Sequence, residues 1–203
     1  MITLILARHG ETTWNKNGKI QGATDTSTLT KVGKEQATLL AEKLKSFSVE
    51  KIYCSELKRA KQTAAIISKA LKKRVSYSLE LNERSFGEFE GGDVKEVFSK
   101  LAAMDDKSRY LFVPKGGESL AQFEKRVYAQ FEKIVEENEG KIVLVVTHGG
   151  VIRSMINLFK DTPIEHRMDL KIPNTSLTIF KMHEKAILEE IIADTEHLNG
   201  MSL

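Results

Sequence analysis

Apolar residues in this chain fall into short continuous runs that alternate with longer segments of helical spacing. Continuous runs of this kind are typical of strands buried on both faces, and they cover residues 2–7, 50–54, 75–79 and 142–146. Two further runs, 175–182 and 186–192, flank a short turn near Glu184 and predict an antiparallel pair of strands.

Between these runs, apolar residues recur at steps of three and four, which predicts amphipathic helices. The two clearest stripes are Leu57-Ala60-Ala64-Ile67-Leu71 and Leu120-Phe123-Val127-Phe131-Ile134. Thr30, Ser55 and Ser119 are expected to cap helices, and a shorter helix is expected over 93–103, followed by an irregular stretch to Gly117. The alternation predicts an α/β three-layer sandwich whose central sheet is mostly parallel, with one antiparallel strand.

Two polar, glycine-containing segments, 10–29 and 80–92, interrupt this pattern and predict long loops. Loops of this length in a compact domain are more often functional than idle.

Two of the predicted buried strands end in the same way. The first stops at Arg8-His9-Gly10, and the later one stops at Thr147-His148-Gly149-Gly150. A lone histidine at a strand end is usually polar surface or a satisfied core group. Two such ends on neighbouring parallel strands instead predict a site at one sheet edge, and Gly149 opens a helix whose free N–H groups bind anions.

Composition narrows the range of functions. With 203 residues and 41% hydrophobic content, one domain over 1–203 is expected. A net charge of +3 without a basic run argues against nucleic-acid binding, and no apolar segment is long enough to span a membrane. The single cysteine, Cys54, excludes an internal disulfide, so a cytoplasmic protein is expected.

Several motifs together resemble the histidine phosphatase superfamily, which is also called phosphoglycerate-mutase-like. They extend over nearly the whole chain and comprise Arg8-His9-Gly10-Glu11-Thr12, Trp14-Asn15, Gln21-Gly22, Leu29-Thr30, Gly33, Ser55 to Ala64, Leu81-Asn82-Glu83-Arg84, Gly116-Gly117-Glu118-Ser119 and Val146-Thr147-His148-Gly149-Gly150.

The resemblance implies that His9 attacks phosphorus and becomes a phosphohistidine that water then hydrolyses. Glu83 would protonate the leaving alkoxide and later deprotonate the water. The phosphate pocket would be formed by Arg8, Arg59, a protonated His148 and the neutral donor Asn15, and the substrate would also contact Gln21, Gly22 and Gly149. Two arginines in one pocket repel a cation, so we expect neither a metal nor a cofactor.

The resemblance also leaves alternatives. Mutases of this family carry a long insertion with an arginine pair after the acid-bearing loop. Here 34 residues separate Glu83 from Glu118 and contain no such pair, which favours the phosphatase branch over a cofactor-dependent phosphoglycerate mutase. A non-catalytic phosphate-binding regulatory domain would lack catalytic residues that are present in this chain.

Substrate selection is expected to lie in residues 86–115, which we interpret as a lid. The partner would be a small-molecule phosphate monoester such as a sugar phosphate, phosphoglycerate, phosphoserine or α-ribazole phosphate. The sequence leaves open which of these it is, and whether the protein is a monomer or a homodimer.

Overall fold

The computed structural model describes residues 1–184 and 186–201, and in this part of the chain the strands form one sheet. The strands are β1 Ile2–Arg8, β2 Lys51–Ser55, β3 Val75–Ser78, β4 Ile142–Thr147, β5 Leu177–His183 and β6 Ala186–Asp194. Their spatial order is β3-β2-β4-β1-β5-β6. The strands therefore lie close to the predicted runs, and each boundary differs by no more than a few residues.

Strand directions agree with a mostly parallel sheet. β1 pairs in parallel with β4, and β2 pairs in parallel with both β3 and β4. β5 is antiparallel to β1 on one side and to β6 on the other, so β5 alone runs against the rest. The prediction of one antiparallel strand is confirmed.

Helices cover both faces of this sheet. They are α1 Thr13–Lys16, α2 Lys31–Leu44, α3 Lys58–Leu71, α4 Val94–Ala102, α5 Asp106–Leu111, α6 Leu120–Glu137 and α7 Gly149–Phe159. None of the helices in the described ranges is both long and apolar enough to cross a membrane.

The central strand β1 shows how the layers form. Side chains alternate across a strand, so Leu4 and Leu6 face α6 and α7, whereas Ile5 and Ala7 face α2 and α3. All four are fully buried. Because both faces are covered, the strand reads as a continuous apolar run, and the predicted three-layer sandwich is confirmed.

Two of the three predicted helix caps are confirmed. The hydroxyls of Thr30 and Ser119 accept hydrogen bonds from backbone N–H groups in the first turns of α2 and α6. The prediction for Ser55 is wrong, because Leu57 is the N-cap of α3. Ser55 is the last residue of β2, and its hydroxyl accepts from the backbone N–H of Leu57 while also contacting Asn82 and His148.

The predicted lid, 86–115, is more regular than expected. The helix expected over 93–103 is confirmed as α4. The stretch that follows was expected to be irregular as far as Gly117, and this is wrong because it contains α5, whose N-cap is Asp105. Phe86, Val97 and Leu101 pack with Ile20 into a small hydrophobic cluster that lies apart from the two cores of the sheet.

The 10–29 segment contains the short helix α1 and is otherwise irregular. The single-domain expectation over 1–203 stays a prediction, and its last two positions lie outside the described residues.

Candidate active site

A cavity of about 280 Å³ opens at the carboxyl ends of β1 and β4. Arg8 and Thr147 are register partners in these two strands, which brings His9 and His148 side by side. Their ring centroids lie 5.2 Å apart. The remaining predicted site residues line the cavity with His9: Arg8, Asn15, Gln21, Gly22, Arg59, Glu83 and Gly149.

His9 is buried, and one of its ring nitrogens is fixed by the backbone. Its Nδ1 lies 2.8 Å from the carbonyl oxygen of Gly10, to which it donates. The Asn174 side-chain amide holds the His9 carbonyl at 3.0 Å. Burial, together with the charges of Arg59 and Arg8, lowers the pKa of His9 well below its ordinary value. The imidazole is therefore neutral, with the Nε2 lone pair available for attack.

His148 is fully buried behind the cavity wall. Its Nδ1 accepts from Arg59 Nε at 3.2 Å, and its Nε2 lies 2.7 Å from Ser55 Oγ. Burial and nearby cations lower its pKa well below 6.5. In the ligand-free site His148 is therefore neutral, because a buried imidazolium next to these guanidinium groups is unfavourable. The expectation of a protonated His148 concerns the phosphate-bound site and stays a prediction.

Arg8 and Arg59 give the cavity a strong positive charge. Arg59 is 1% exposed and donates to the carbonyl oxygens of Thr24 at 2.9 Å and Gly22 at 2.6 Å. Arg8 donates through Nη1 to the carbonyl of Ile172, while its buried Nε finds no partner among the described residues. Burial lowers the pKa of each to about 10, so both stay charged at neutral pH. Two buried cations held by carbonyls attract an anion.

Two amide side chains add neutral donors to the cavity wall. Asn15 Oδ1 accepts from the Thr12 N–H at 3.1 Å and from Asn174 Nδ2 at 3.3 Å. Gln21 Oε1 accepts from Thr12 Oγ1 at 2.9 Å. Since these oxygens are occupied, the NH₂ groups of both amides remain free to donate to an anion.

Gly22 has a structural reason to be glycine. Its φ of +52° lies in the left-handed region, and a Cβ there would lie 2.1 Å from Glu90 Oε1. That oxygen accepts from the N–H groups of Ala23 and Phe86, at 2.9 and 3.0 Å. Glu90 thereby joins the two polar loops that the sequence indicated.

Glu83 is anchored at the amino end of α7. Its Oε1 accepts from the Arg84 N–H at 2.9 Å, and its Oε2 accepts from the Gly150 N–H at 3.0 Å. A Cβ on Gly150 would lie 2.2 Å from Glu83 Oε1, so a glycine there permits this close approach. The same helix end therefore positions both the carboxylate and, through Gly149, the cavity wall.

Arg126 supports the Glu83 loop, and sequence reasoning missed it. Its guanidinium donates to the carbonyl oxygens of Glu80, Asn82 and Glu83 at about the same distance, 2.9 to 3.1 Å. It also binds both oxygens of Glu118, at 2.7 and 3.0 Å. The sequence analysis recognised the motif that contains Glu118. The only sequence signal for Arg126 is that it follows Glu118 at a spacing of about two helical turns.

Two more contributing residues were not singled out from the sequence. Asn174 has no signal beyond its place after Pro173. Arg153 lines the cavity and lies four residues after Gly149, a spacing that puts both on one face of α7. Within the described ranges, no three His, Cys, Asp or Glu side chains come together in a way that would hold a metal ion.

Comparisons with known proteins agree with this arrangement. A family model described as the histidine phosphatase superfamily (branch 1) matches residues 4–195. Phosphoglycerate mutase-like protein 4 of Arabidopsis thaliana is 36% identical over 188 residues, with 89% of this chain and 80% of that protein covered. A metal-independent phosphoserine phosphatase of the same plant is 34% identical over 204 residues, with 98% and 84% covered.

A solved structure is similar as well. It is a phosphoserine phosphatase of Entamoeba histolytica in complex with 3-phosphoglyceric acid, which superposes with a TM-score of 0.82 at 30% sequence identity. The match covers 98% of this chain and 100% of that one.

Proposed function

The chain belongs to branch 1 of the histidine phosphatase superfamily, and we propose that it is a metal-independent phosphomonoesterase acting through a phosphohistidine on His9. The observation that carries this proposal is the state of His9. Its imidazole is neutral, its Nδ1 is tied to Gly10, and it lies beside two buried guanidinium groups that attract a phosphate.

In the first half of the reaction, His9 Nε2 attacks the phosphorus of the bound monoester. The N–P bond forms as the ester P–O bond breaks, and the bonding electrons leave with the alkoxide oxygen. Glu83 in its acid form gives that oxygen a proton, so the alcohol departs neutral and Glu83 becomes a carboxylate.

In the second half, a water molecule attacks the phosphohistidine. The Glu83 carboxylate takes the water proton, the new O–P bond forms, and the electrons of the N–P bond return to His9 Nε2. Inorganic phosphate leaves, and both side chains are restored to their starting protonation states.

Arg8, Arg59 and Asn15 would hold the equatorial oxygens of the phosphoryl group in both halves. His148 would join them when the dianion binds, because a neighbouring negative charge raises the pKa of an imidazole. Once protonated, His148 Nδ1 would no longer accept from Arg59 Nε, and its N–H would donate to a phosphate oxygen instead. Gln21, Gly22 and Gly149 complete the wall of the pocket.

Metal independence is supported by the charge of the cavity. The guanidinium groups of Arg8 and Arg59 supply the positive charge that a metal ion would otherwise bring to a phosphate, and they repel a second cation. One similar protein carries metal independence in its name.

A mutase activity remains the second candidate, since one similar protein is named phosphoglycerate mutase-like. The short 86–115 segment, with its two small helices, favours hydrolysis, because a smaller cover over the site admits water more easily. A purely regulatory domain is the least favoured, because His9, Arg8, Arg59, Glu83 and His148 are all present in one place.

The test is the hydrolysis of p-nitrophenyl phosphate in the presence of a chelator, by the wild-type protein, His9→Ala and the control variant His183→Ala, whose imidazole is exposed. We expect activity in wild type and His183→Ala and its loss in His9→Ala. Equal rates from wild type and His9→Ala would refute the nucleophile, and activity lost to the chelator would refute metal independence.

A second assay separates hydrolysis from transfer. The protein is supplied with 3-phosphoglycerate and a trace of 2,3-bisphosphoglycerate, and both 2-phosphoglycerate and inorganic phosphate are followed. We expect phosphate to appear. Formation of 2-phosphoglycerate in excess of phosphate would assign the protein to the mutases instead.

A further inference from the structure

A tight turn at residues 173–176, directly before β5, holds the backbone of the proposed nucleophile. The Thr175 N–H donates to the His9 carbonyl across 3.3 Å, beside the bond from the Asn174 side chain. On the other side, the His9 N–H donates to the Thr147 carbonyl at 2.9 Å. The backbone of His9 is therefore fixed between β4 and this turn, to which the proposed mechanism assigns no task.

The turn has an unusual backbone conformation at Thr175. The Ser176 N–H donates to the Pro173 carbonyl at 3.1 Å and closes the turn, so Thr175 is its third residue, and φ there is +55°. A positive φ at the third residue is the mark of a type II turn, where glycine or asparagine is usual. A buried, β-branched residue in this conformation is strained, and such strain persists only where surrounding contacts hold it.

Hydrogen bonds at both ends hold the central peptide of this turn, which joins Asn174 to Thr175. Its N–H is the donor to the His9 carbonyl, and its oxygen accepts from Thr175 Oγ1 at 2.8 Å. A type I turn differs from a type II turn by rotation of this peptide, which also returns φ of the third residue to negative values. Because that rotation would turn the N–H away from His9, the threonine hydroxyl preserves the contact.

The segment after β6 supports the same hydroxyl. His197 lies in the 3₁₀ turn Glu196–Leu198, and its Nε2 is 3.4 Å from Thr175 Oγ1. Since the hydroxyl gives its proton to the Asn174 carbonyl, the imidazole is the donor in this contact. His197 therefore stabilises the orientation of the hydroxyl that locks the turn.

Lys43 on α2 fixes the segment that carries His197. Its Nζ binds Asp194 at 2.7 Å and Glu196 at 3.1 Å. Burial and the charge of Lys43 lower the pKa of His197 against the opposing effect of Asp194, so the ring is neutral near pH 7. Thr175 is thus supported from a helix that contributes no residue to the cavity lining.

We infer that Thr175 is a positioning residue for His9, and that His197 supports it from the turn after β6. This inference rests on the proposed phosphatase function. With its carbonyl held by the turn, His9 keeps the orientation in which Nε2 reaches the phosphorus. A displacement of about 1 Å at a reacting atom can reduce the rate about a hundredfold. Phosphate affinity should depend on the turn far less, because the two arginines of the pocket supply the charge.

The test compares kcat for p-nitrophenyl phosphate with the inhibition constant of inorganic phosphate. Thr175→Val keeps the side-chain shape without the hydroxyl, and we expect kcat to fall about tenfold to a hundredfold while the inhibition constant stays within about twofold. Thr175→Ser should retain most of the activity. Thr178→Val is the matched control, because Thr178 is equally buried but its hydroxyl accepts from Ala193 on β6. An unchanged kcat in Thr175→Val, or equal losses of kcat and phosphate affinity, would overturn the inference.

Thr175→Gly separates positioning from stability. Glycine adopts a positive φ without strain, so the thermal midpoint should stay within about 4 °C of wild type or rise. The hydroxyl is lost, so kcat should fall as in Thr175→Val. A merely structural role predicts that this variant is as active as it is stable, and full activity would overturn the inference even if Thr175→Val failed to fold.

The role of His197 is tested by two substitutions. His197→Ala should lower kcat about threefold to tenfold, as expected for one lost hydrogen bond. His197→Gln can place an amide N–H close to the position of Nε2 and should restore most of the loss. Equal activities of wild type and His197→Ala, or equal defects of both variants, would refute the support from His197.

A measurement without turnover keeps the two proposals apart. The ¹³C shift of the His9 carbonyl reports its hydrogen bonds in the ligand-free protein. A shift that changes in Thr175→Val and not in Thr178→Val supports the inference even if the protein proves not to be a phosphatase. An unchanged shift in Thr175→Val overturns it, even if wild type hydrolyses phosphate esters.

Discussion

Arg59 Nε donates to Nδ1 of His148 across 3.2 Å, which forces the proton of this neutral imidazole onto Nε2. Nε2 then donates to Ser55 Oγ at 2.7 Å, and the Ser55 hydroxyl donates to Asn82 Oδ1 at 2.8 Å. Arg59 on α3, Ser55 on β2 and Asn82 on the Glu83 loop together hold the His148 ring in this tautomer. This series of hydrogen bonds leads from the proposed phosphate pocket to the loop that carries Glu83.

Replacing Ser55 with alanine should weaken catalysis through His148. The buried Nε2–H would lose its acceptor, at a cost of about 1 to 3 kcal/mol. We expect kcat to fall about tenfold, and the ring ¹⁵N shifts of His148 to show a changed tautomer balance. Ser176→Ala is the control, because Ser176 is equally buried but its hydroxyl has no partner among the described residues. Unchanged ¹⁵N shifts in Ser55→Ala would contradict the relay.

The stability of the ligand-free protein should fall in mild acid because of His9 and His148. Both have a pKa well below 6.5 when folded, so below that pH the unfolded chain takes up protons that the folded protein does not. The stabilising contribution is complete above pH 6.5 and is lost as pH falls toward the folded pKa values. Each imidazole then lowers the free energy of unfolding by up to about 1.4 kcal/mol per pH unit.

Urea unfolding between pH 7.5 and 5.5 measures this effect. His148→Gln should flatten the dependence on pH relative to wild type, whereas His183→Gln, at an exposed position, should not. Inorganic phosphate should also flatten it, because a bound anion favours the protonated rings. An identical slope in wild type and His148→Gln would show that the buried ring does not carry the effect.

The sequence predicted the residues that line the cavity better than the residues that hold them in place. His9 and His148 follow apolar runs, and parallel pairing of those runs brings them together without further information. Ser55 was misread because a serine two residues before the true N-cap, Leu57, has the same local pattern as an N-cap. Its real partner, His148, is distant in sequence and becomes a neighbour only through the pairing of β2 with β4.

Arg126 also has most of its partners in a distant part of the sequence, so its role could not be predicted locally. Its spacing on α6 identifies an exposed polar face, and nothing local indicates the three carbonyl acceptors on the separate Glu83 loop. The neutral state of His148 in the ligand-free site was also not predictable from the sequence, because the cost of burying a charge depends on the packing around the ring rather than on the motif that contains it.

Arg126→Lys should loosen the Glu83 loop and impair proton donation. An ammonium cannot bind both Glu118 oxygens and the loop carbonyls at once. We expect kcat to fall about tenfold for an alkyl phosphate and less for p-nitrophenyl phosphate, whose leaving group needs little protonation. Lys125→Gln, one residue away and exposed, is the control. Equal losses for both esters would indicate a general structural defect rather than a misplaced acid.

Gly150→Ala should displace Glu83, because the new Cβ would lie 2.2 Å from Glu83 Oε1. We expect a fall in kcat of about a hundredfold, within the range of a lost general acid. The double variant with Glu83→Gln tests the cause. If displacement of Glu83 is the whole effect, Gly150→Ala should change little in the Glu83→Gln background. Full additivity would show that the alanine acts elsewhere.

The position of β1 at the centre of the sheet also sets the order in which the protein matures. β1 is synthesised first, but its two neighbours, β4 and β5, come from the second half of the chain. Pairings between such distant segments close long loops and form slowly. A chain emerging from the ribosome thus carries His9 long before Thr147 is available to pair with Arg8. A growing chain can therefore bind phosphate at this site only after β4 has been synthesised and has paired with β1.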